Sequence, residues 1–480
     1  MSEKPKSIVV RCIRDAAYYL NQGIEFHKLG KFHSAIASYD RAILLDPSYA
    51  PAWSNRGISL RALLKFDSAV ASFDKAIALN PSCVDFYSNR GNALWALRQL
   101  EAALDSYSKV IELDPFYLKA YANRGFVLKE LHRFEESLAA YESVIAADPC
   151  NADAYWNKSL ILLLLGDYGK GLELYEWRWK NEKLSLKERL FSQPLWLGRQ
   201  PLSGKTVLIH NEQGFGDSIQ FCRYATMVAG LGARVVFEVQ KSLVNLLREV
   251  DGIAEVVQEG EKLPSFDFHC PLMSLPLALR TTLETIPCAS RYLKSDPARR
   301  AYWKQKLGQK TRPRIGLAWS GNAMHSLDHN RSILLSGLEA WLPPEFQYVS
   351  LQKELKDADM ETLRSNPNIL HFGDELKDFS DTAALCDEMD LVISVDTSVA
   401  HLSGALGRPT WVLLPYDPDW RWMLDRDDTP WYPSVSLFRQ KSMGDWVSVF
   451  YRISSGLFSF FPGNRDGGRR TSTGPGEPES

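Results

Sequence analysis

Nowhere in its 480 residues does this chain hold the run of about 18 apolar residues that a membrane-spanning helix needs. Its seven cysteines are odd in number and contain no Cys-x-x-Cys pair, which speaks against a disulfide framework and against a thiolate zinc site. Excess charge is missing as well. Against 58 Asp plus Glu stand 56 Lys plus Arg, a formal net charge of -2, so no basic field exists to neutralise a nucleic-acid backbone. Residues 1–11 hold no apolar core of a secretory signal. The expectation is a cytoplasmic protein with no membrane span and no nucleic-acid partner. At 45% hydrophobic and 11% aromatic, the chain has apolar mass for about three domains.

What is present first is a repeat. Asp-Pro or Asn-Pro recurs with proline at 47, 81, 115 and 149, and Asn-Arg-Gly recurs in the same register at 55–57, 89–91 and 123–125. Within each unit two apolar runs at helical spacing are split by a turn such as Leu29-Gly30-Lys31-Phe32, and the proline closes the unit. That pattern predicts a lead over 1–15 and then an α-solenoid of about five helix-turn-helix repeats over 16–180. The unit resembles the tetratricopeptide repeat. Its first-helix aromatics stand at Tyr19, Trp53, Tyr87 and Tyr121, its glycines at Gly23, Gly57, Gly91 and Gly125, and its second-helix small residues at Ala35, Ala69, Ala103 and Ser137. A fifth unit, from Ala152 to about Trp179, has Ser159 for the glycine and Gly171 for the alanine, as a terminal repeat would. Asparagine keeps the interval too, at Asn21, Asn55, Asn89, Asn123 and Asn157. Stacked repeats would align these amides into a ladder able to pair with the backbone of a bound protein or peptide. The array is similar to the asparagine ladder in the superhelix of O-GlcNAc transferases; the alternative is that asparagine is simply common at this position.

After Trp196 the period changes to short β-branched runs alternating with amphipathic segments, which predicts parallel sheets built from βαβ units. Strands are expected near Thr206–His210, Arg234–Val239, Asp267–Cys270, Arg314–Trp319, Gln347–Leu351, Leu391–Ser394 and Thr410–Leu414. A basic segment over 298–313 separates two sets, giving Rossmann-like domains over 195–300 and 313–455. Ligands of such sheets sit at the carboxyl ends of strands. The first such end is the loop Gln213-Gly214-Phe215-Gly216-Asp217, leading into a helix expected near Ser218. Gly214-x-Gly216 with Glu238 on the next strand invites a dinucleotide reading, but the third glycine position is Ile219. Asp217 can serve as general base for an acceptor hydroxyl or as a helix N-cap. The second is Asp396-Thr397-Ser398-Val399-Ala400-His401, where hydroxyls and free N–H groups at a helix start suit a diphosphate.

Taken together, these two motifs resemble those of the heptosyltransferase-like family of GT-B glycosyltransferases, over about residues 205–446 and with the repeats placed in front as in O-GlcNAc transferases. The resemblance implies a GT-B fold of two Rossmann-like domains, the acceptor on the N-terminal side and a nucleotide-diphosphate sugar on the C-terminal side. It also implies Asp217 as catalytic base, with Gln213, Gly214 and Gly216 in the acceptor loop, and Asp396, Thr397, Ser398 and His401 on the donor diphosphate. Ser398 stands where heptosyltransferases usually have glycine. Arg331 stands where they have a phosphate-contacting lysine, or it pairs with Asp328 on the surface. Ser320, Gly321 and Asn322 follow a strand end and would contact phosphate through the backbone; Gln352, past another strand end, would contact the base or ribose. No metal or other cofactor is expected, and Asp387, Glu388 and Asp390 read as a solvated helix end. Trp420, Trp422, Trp431 and Trp446 read as packing, with one able to stack on a base. Residues 462–480, rich in Gly and Pro, read as a disordered tail. The expected function is metal-independent sugar transfer to a protein or glycan recruited by the repeats; the alternative is an interaction scaffold whose GT-B half is inert or nucleotide-sensing.

Overall fold

A computed structural model of the chain describes residues 15–184, 186, 188–322 and 328–462. The lead and the expected tail, apart from Asp15 and Pro462, lie outside these residues. The chain divides into two compact units, 1–161 and 162–480.

The first unit is helical: α1 Ala16–Lys28, α2 Phe32–Leu45, α3 Ala50–Ala62, α4 Phe66–Leu79, α5 Val84–Ala96, α6 Leu100–Leu113, α7 Leu118–Glu130, α8 Phe134–Ala147 and α9 Ala152–Leu164. A tenth helix, α10 Tyr168–Tyr175, completes the fifth repeat and falls in the second unit, so the division into compact units lies inside that repeat. Each odd-numbered helix ends on a residue in the left-handed region at one repeat position: Gly30, Leu64, Arg98, His132 and Gly166 have φ of 70°, 59°, 61°, 58° and 88°. The next amide closes the turn onto the carbonyl five residues back, as Lys65 N does on Leu60 O at 2.9 Å. The repeated glycines stand where the two helices of a repeat meet. A Cβ on Gly57 would lie 2.7 Å from the Phe73 ring, and one on Gly91 would lie 2.6 Å from the Tyr107 ring, so the two helices of a repeat meet only because that atom is absent. The asparagine-flanking cations carry a second repeated device. Arg56 holds Asp40 at 2.7 Å and Ser72 at 2.8 Å, and Arg90 holds Asp74 at 2.7 Å and Ser106 at 2.9 Å.

The second unit carries two all-parallel sheets. β1 Thr206–His210, β2 Arg234–Val239, β3 Ile253–Gln258 and β4 Phe268–Pro271 form one, in the order β3-β2-β1-β4. β5 Arg314–Ala318, β6 Gln347–Ser350, β7 Ile369–His371, β8 Leu391–Val395, β9 Thr410–Leu414 and β10 Val435–Arg439 form the other, in the order β10-β9-β8-β5-β6-β7. Read from β7, the second order is three-two-one-four-five-six, the doubly wound arrangement, with its switch point between β5 and β8. Strands β5, β8 and β9 are buried along their whole length, which explains their continuous apolar runs. The three strands the sequence did not announce, β3, β7 and β10, are all sheet edges, where burial is partial and polar residues interrupt the pattern. The segment read as a basic linker is a helix, Pro297–Leu307, started by the Asp296 carboxylate accepting from Arg299 N at 2.8 Å and anchored by buried Trp303. A closing helix, Trp446–Phe460, runs past the expected boundary at 455 and lays Val449, Phe450, Ile453 and Leu457 on the larger sheet's core.

Candidate functional site

At the carboxyl end of β1 the helix is Phe215–Phe221, three residues earlier than expected, so Asp217 lies inside its first turn and not before it. Asp217 Oδ2 accepts from Gly214 N at 2.9 Å, tying back the residue that caps the helix. Its other oxygen, Oδ1, receives Arg421. Gly216 brings this helix against the one that follows β8, Ser398–Ala405: a Cβ there would lie 3.0 Å from the His401 ring and 3.6 Å from Ser398 Cα. Loops at the carboxyl ends of two separate sheets, Gln213–Asp217 and Asp396–His401, thus meet in one cluster within this unit.

Thr397 caps the second helix with its backbone alone; its hydroxyl lies 3.1 Å from Ser394 Oγ. His401 is buried, its ring stacked on Trp422 with centroids 5.2 Å apart and its Nδ1 at 2.9 Å from the Tyr432 hydroxyl. Burial first, and the Arg421 charge second, push its pKa down to about 3, so the ring is neutral at ordinary pH. Asp396 lies 3.9 Å from His401 Nε2. Burial, reinforced by Asp419 and opposed by Arg331, raises the Asp396 carboxyl to about 6. Arg331 donates to the Asp396 carbonyl at 2.8 Å and reaches Asp328 at 3.4 Å. Of the two readings of Arg331, the pair with Asp328 is present, although Asp328 is buried and not on the surface. The bond to the Asp396 carbonyl spans the β5–β8 switch point.

Other expected ligands have structural partners. Gln352 Oε1 accepts from Trp319 N at 2.7 Å and Ser320 N at 2.9 Å, and its Nε2 donates to Ser320 Oγ at 2.8 Å. It shapes the Ser320–Gly321 turn. Gly321 N donates to Ser332 Oγ at 2.9 Å, and a Cβ on Gly321 would collide with Asp328 and Arg331. Asn322, which ends the described part of this loop, is exposed. Gln213 Nε2 donates to the Tyr175 hydroxyl at 3.1 Å. The dinucleotide reading loses its ribose ligand, because Glu238 is buried and paired with Arg189. Asp387 is not solvated; it is buried beside Arg291 at 3.2 Å. Trp420, Trp422 and Trp431 are buried, and Trp446 is partly so. Asn55 and Asn157 donate to carbonyls one turn back in their own helices, at 2.9 and 2.8 Å, while Asn123 reaches Asn92 at 3.2 Å. Asn21 is exposed and Asn89 partly exposed. Among the described residues no group of three or more His, Cys, Asp or Glu is placed to hold a metal ion.

Two arginines escaped sequence reasoning. Arg421 joins Asp217 to Asp419, the latter at 2.9 Å, between the rings of Trp420 and Phe221. Arg178, fully buried in the turn after α10, forks onto Glu212 at 2.7 and 3.0 Å, and reaches Ser274 at 2.7 Å and Glu176 at 2.5 Å. Glu212 also accepts from Met273 N at 2.8 Å, so this cluster fills the β1–β4 switch point of the smaller sheet. Glu212 also borders a cavity of about 440 Å³, lined with it by Arg189, Asn211, Gln213, Glu238, Gln240 and Glu259. Only their place at strand ends could have pointed to Asn211 and Glu259.

The tetratricopeptide-repeat family matches residues 54–117 and 125–176, and a second repeat profile matches 23–63. The helical part is a tetratricopeptide-repeat array. Protein FlbA of Caulobacter vibrioides is 30% identical over 294 residues, which is 55% of this chain and 48% of FlbA. The chain thus spans about half the length of that curated relative. Among solved structures, MamA is 22% identical with a TM-score of 0.34 over 37% of this chain and 98% of MamA. YrrB, described as a TPR protein with an unusual peptide-binding site, is 26% identical with a TM-score of 0.32 over 35% of this chain and 86% of YrrB. No described helix is long and apolar enough to cross a membrane.

Proposed function

We propose that the chain is a metal-independent glycosyltransferase that moves a sugar from a nucleotide-diphosphate donor to a protein or glycan acceptor recruited by the repeats. One observation carries the reading: the loop with Asp217 and the helix start at Ser398 come from the carboxyl ends of two different parallel sheets and pack directly on each other. Two-substrate transfer needs that arrangement, since each sheet can hold one reactant at its ligand-binding end. The donor diphosphate lies by the helix start at Ser398, where free N–H groups and Arg331 offset the leaving-group charge. Asp217 takes the acceptor proton. The polar cavity beside Gln213 supports an acceptor rich in hydroxyl groups, which carboxamides and carboxylates bind well. The repeats hold the acceptor's polypeptide, with the asparagine array as its contact surface.

Calorimetry of the full chain against UDP, GDP, ADP, CMP and dTDP tests the donor site. One of them binds, and Arg331→Gln weakens it at least about tenfold, the scale of a lost charge-assisted bond. Absence of binding by all five refutes the donor assignment. The second reading, an interaction scaffold with an inert α/β half, is favoured by the Arg421–Asp217 pair, which with the Gly214 amide engages both oxygens of the aspartate. A fully bound nucleotide with no sugar turnover would select it.

A further inference from the structure

In the arrangement seen both carboxylate oxygens of Asp217 are engaged, one of them by a cation that favours its charged form. One carboxylate oxygen holds the Gly214 amide that starts its helix, and the other holds Arg421. The first bond is a fixed part of the helix start, so the group that must give way is the arginine. Arg421 is unlike a structural arginine. Arg178, in the same unit, engages Nε and both terminal nitrogens. Arg421 uses its terminal nitrogens on Asp217 and Asp419 and leaves Nε buried with no hydrogen-bond partner. Its side chain is only 9% exposed, and it lies next in sequence to Trp422, whose ring stacks on His401 of the donor-side helix. The backbone just after it is strained: Met423 and Asp425, neither a glycine, hold φ of 54° and 51°.

We propose that Arg421 is a donor-operated latch on the base: the anion of the donor diphosphate draws its guanidinium away from Asp217, and the freed carboxylate then accepts the acceptor's proton. The inference rests on the donor-site reading above and names how that site is regulated. A guanidinium forks onto phosphate as well as onto carboxylate, so a diphosphate entering beside His401 competes for the same donors. Once released, Asp217 is a partly buried carboxylate without a counter-charge, a state in which a carboxylate is more basic. In the transfer step the acceptor oxygen gives its proton to Asp217 and bonds to the anomeric carbon. The bond from that carbon to phosphate breaks, and its electron pair leaves with the nucleoside diphosphate, which Arg421 and Arg331 now face. Without donor the base stays masked, which protects against futile proton transfer.

The test is calorimetric titration of the full chain with UDP and with inorganic pyrophosphate, on wild type, Asp217→Asn, Arg421→Gln and Arg331→Gln. In the latch, the anion must break the Arg421–Asp217 pair to bind. Asp217→Asn weakens that pair and binds pyrophosphate about tenfold more tightly than wild type, within the usual range for coupled sites. Arg421→Gln binds it at least about tenfold more weakly. Unchanged affinity in Asp217→Asn, with binding still lost in Arg331→Gln, overturns the latch and leaves the donor site standing. No binding of either anion to wild type overturns both. Should Arg421→Gln fail to fold, the Asp217→Asn arm decides alone, since that isosteric change leaves Gly214 an oxygen acceptor.

Discussion

Leu64 sits where its own repeat array uses glycine at Gly30 and Gly166, in a left-handed conformation that costs a side chain about 1–2 kcal/mol. It is exposed, so little packing is lost on removing it. Leu64→Gly therefore raises stability by roughly 0.5–1 kcal/mol after the extra freedom of the unfolded glycine is subtracted, read as a shift in the urea midpoint. Asp396 makes a pH prediction. Its folded pKa of about 6 lies above the roughly 3.9 of an unfolded aspartate. The folded state therefore holds the proton longer, and the stability tied to this group is full below about pH 4 and lost as pH rises through 6. Asp419, Arg331, Arg421 and His401 face it. Asp419, which burial pushes up but Arg421 pulls below its usual range, and His401, down at about 3, keep their folded-state charge across that window, and both are common to the two proteins compared. Melting temperatures of Asp396→Asn should accordingly fall less between pH 4 and 7 than those of wild type. A parallel decline in the two proteins would contradict the assignment.

The helices of the first unit were legible because packing repeats a requirement every 34 residues, and a requirement met four times stands out from composition. Gly91→Ala tests it: a Cβ 2.6 Å from the Tyr107 ring forces the helices apart and costs about 1–3 kcal/mol in urea unfolding of the full chain. The edge strands β3, β7 and β10 were not legible, because half-exposed strands carry no continuous apolar run. The turn after α10 was hidden for another reason. Arg178 is one charged residue in a polar stretch, and only the fold reveals that it is buried against Glu212 from the far side of the β1 loop. Arg178→Ala leaves that carboxylate buried and unpaired and should cost about 3–5 kcal/mol in thermal unfolding, whereas the double change Arg178→Met with Glu212→Leu should cost less. Equal losses would mean that the charge pairing is not what the turn provides.

At the scale of the whole molecule, the chain joins a tetratricopeptide array to a unit with two parallel sheets, and the sequence motifs at Gln213–Asp217 and Asp396–His401 fall at the carboxyl ends of strands in those sheets. The motifs themselves could be read from residue order. Their meeting could not, since the Gly216–His401 approach joins residues far apart in the chain, and Arg421 gave no sign beyond lying among tryptophans. The measurement that bears most directly on the account is release of nucleoside diphosphate from a panel of UDP-, GDP-, ADP- and dTDP-sugars by the full chain, with candidate acceptor present, compared with Asp217→Asn. The account predicts turnover of one donor class by wild type and loss of turnover in Asp217→Asn with no loss of nucleotide affinity. Turnover that survives in Asp217→Asn, or its absence with every donor in wild type, would contradict it.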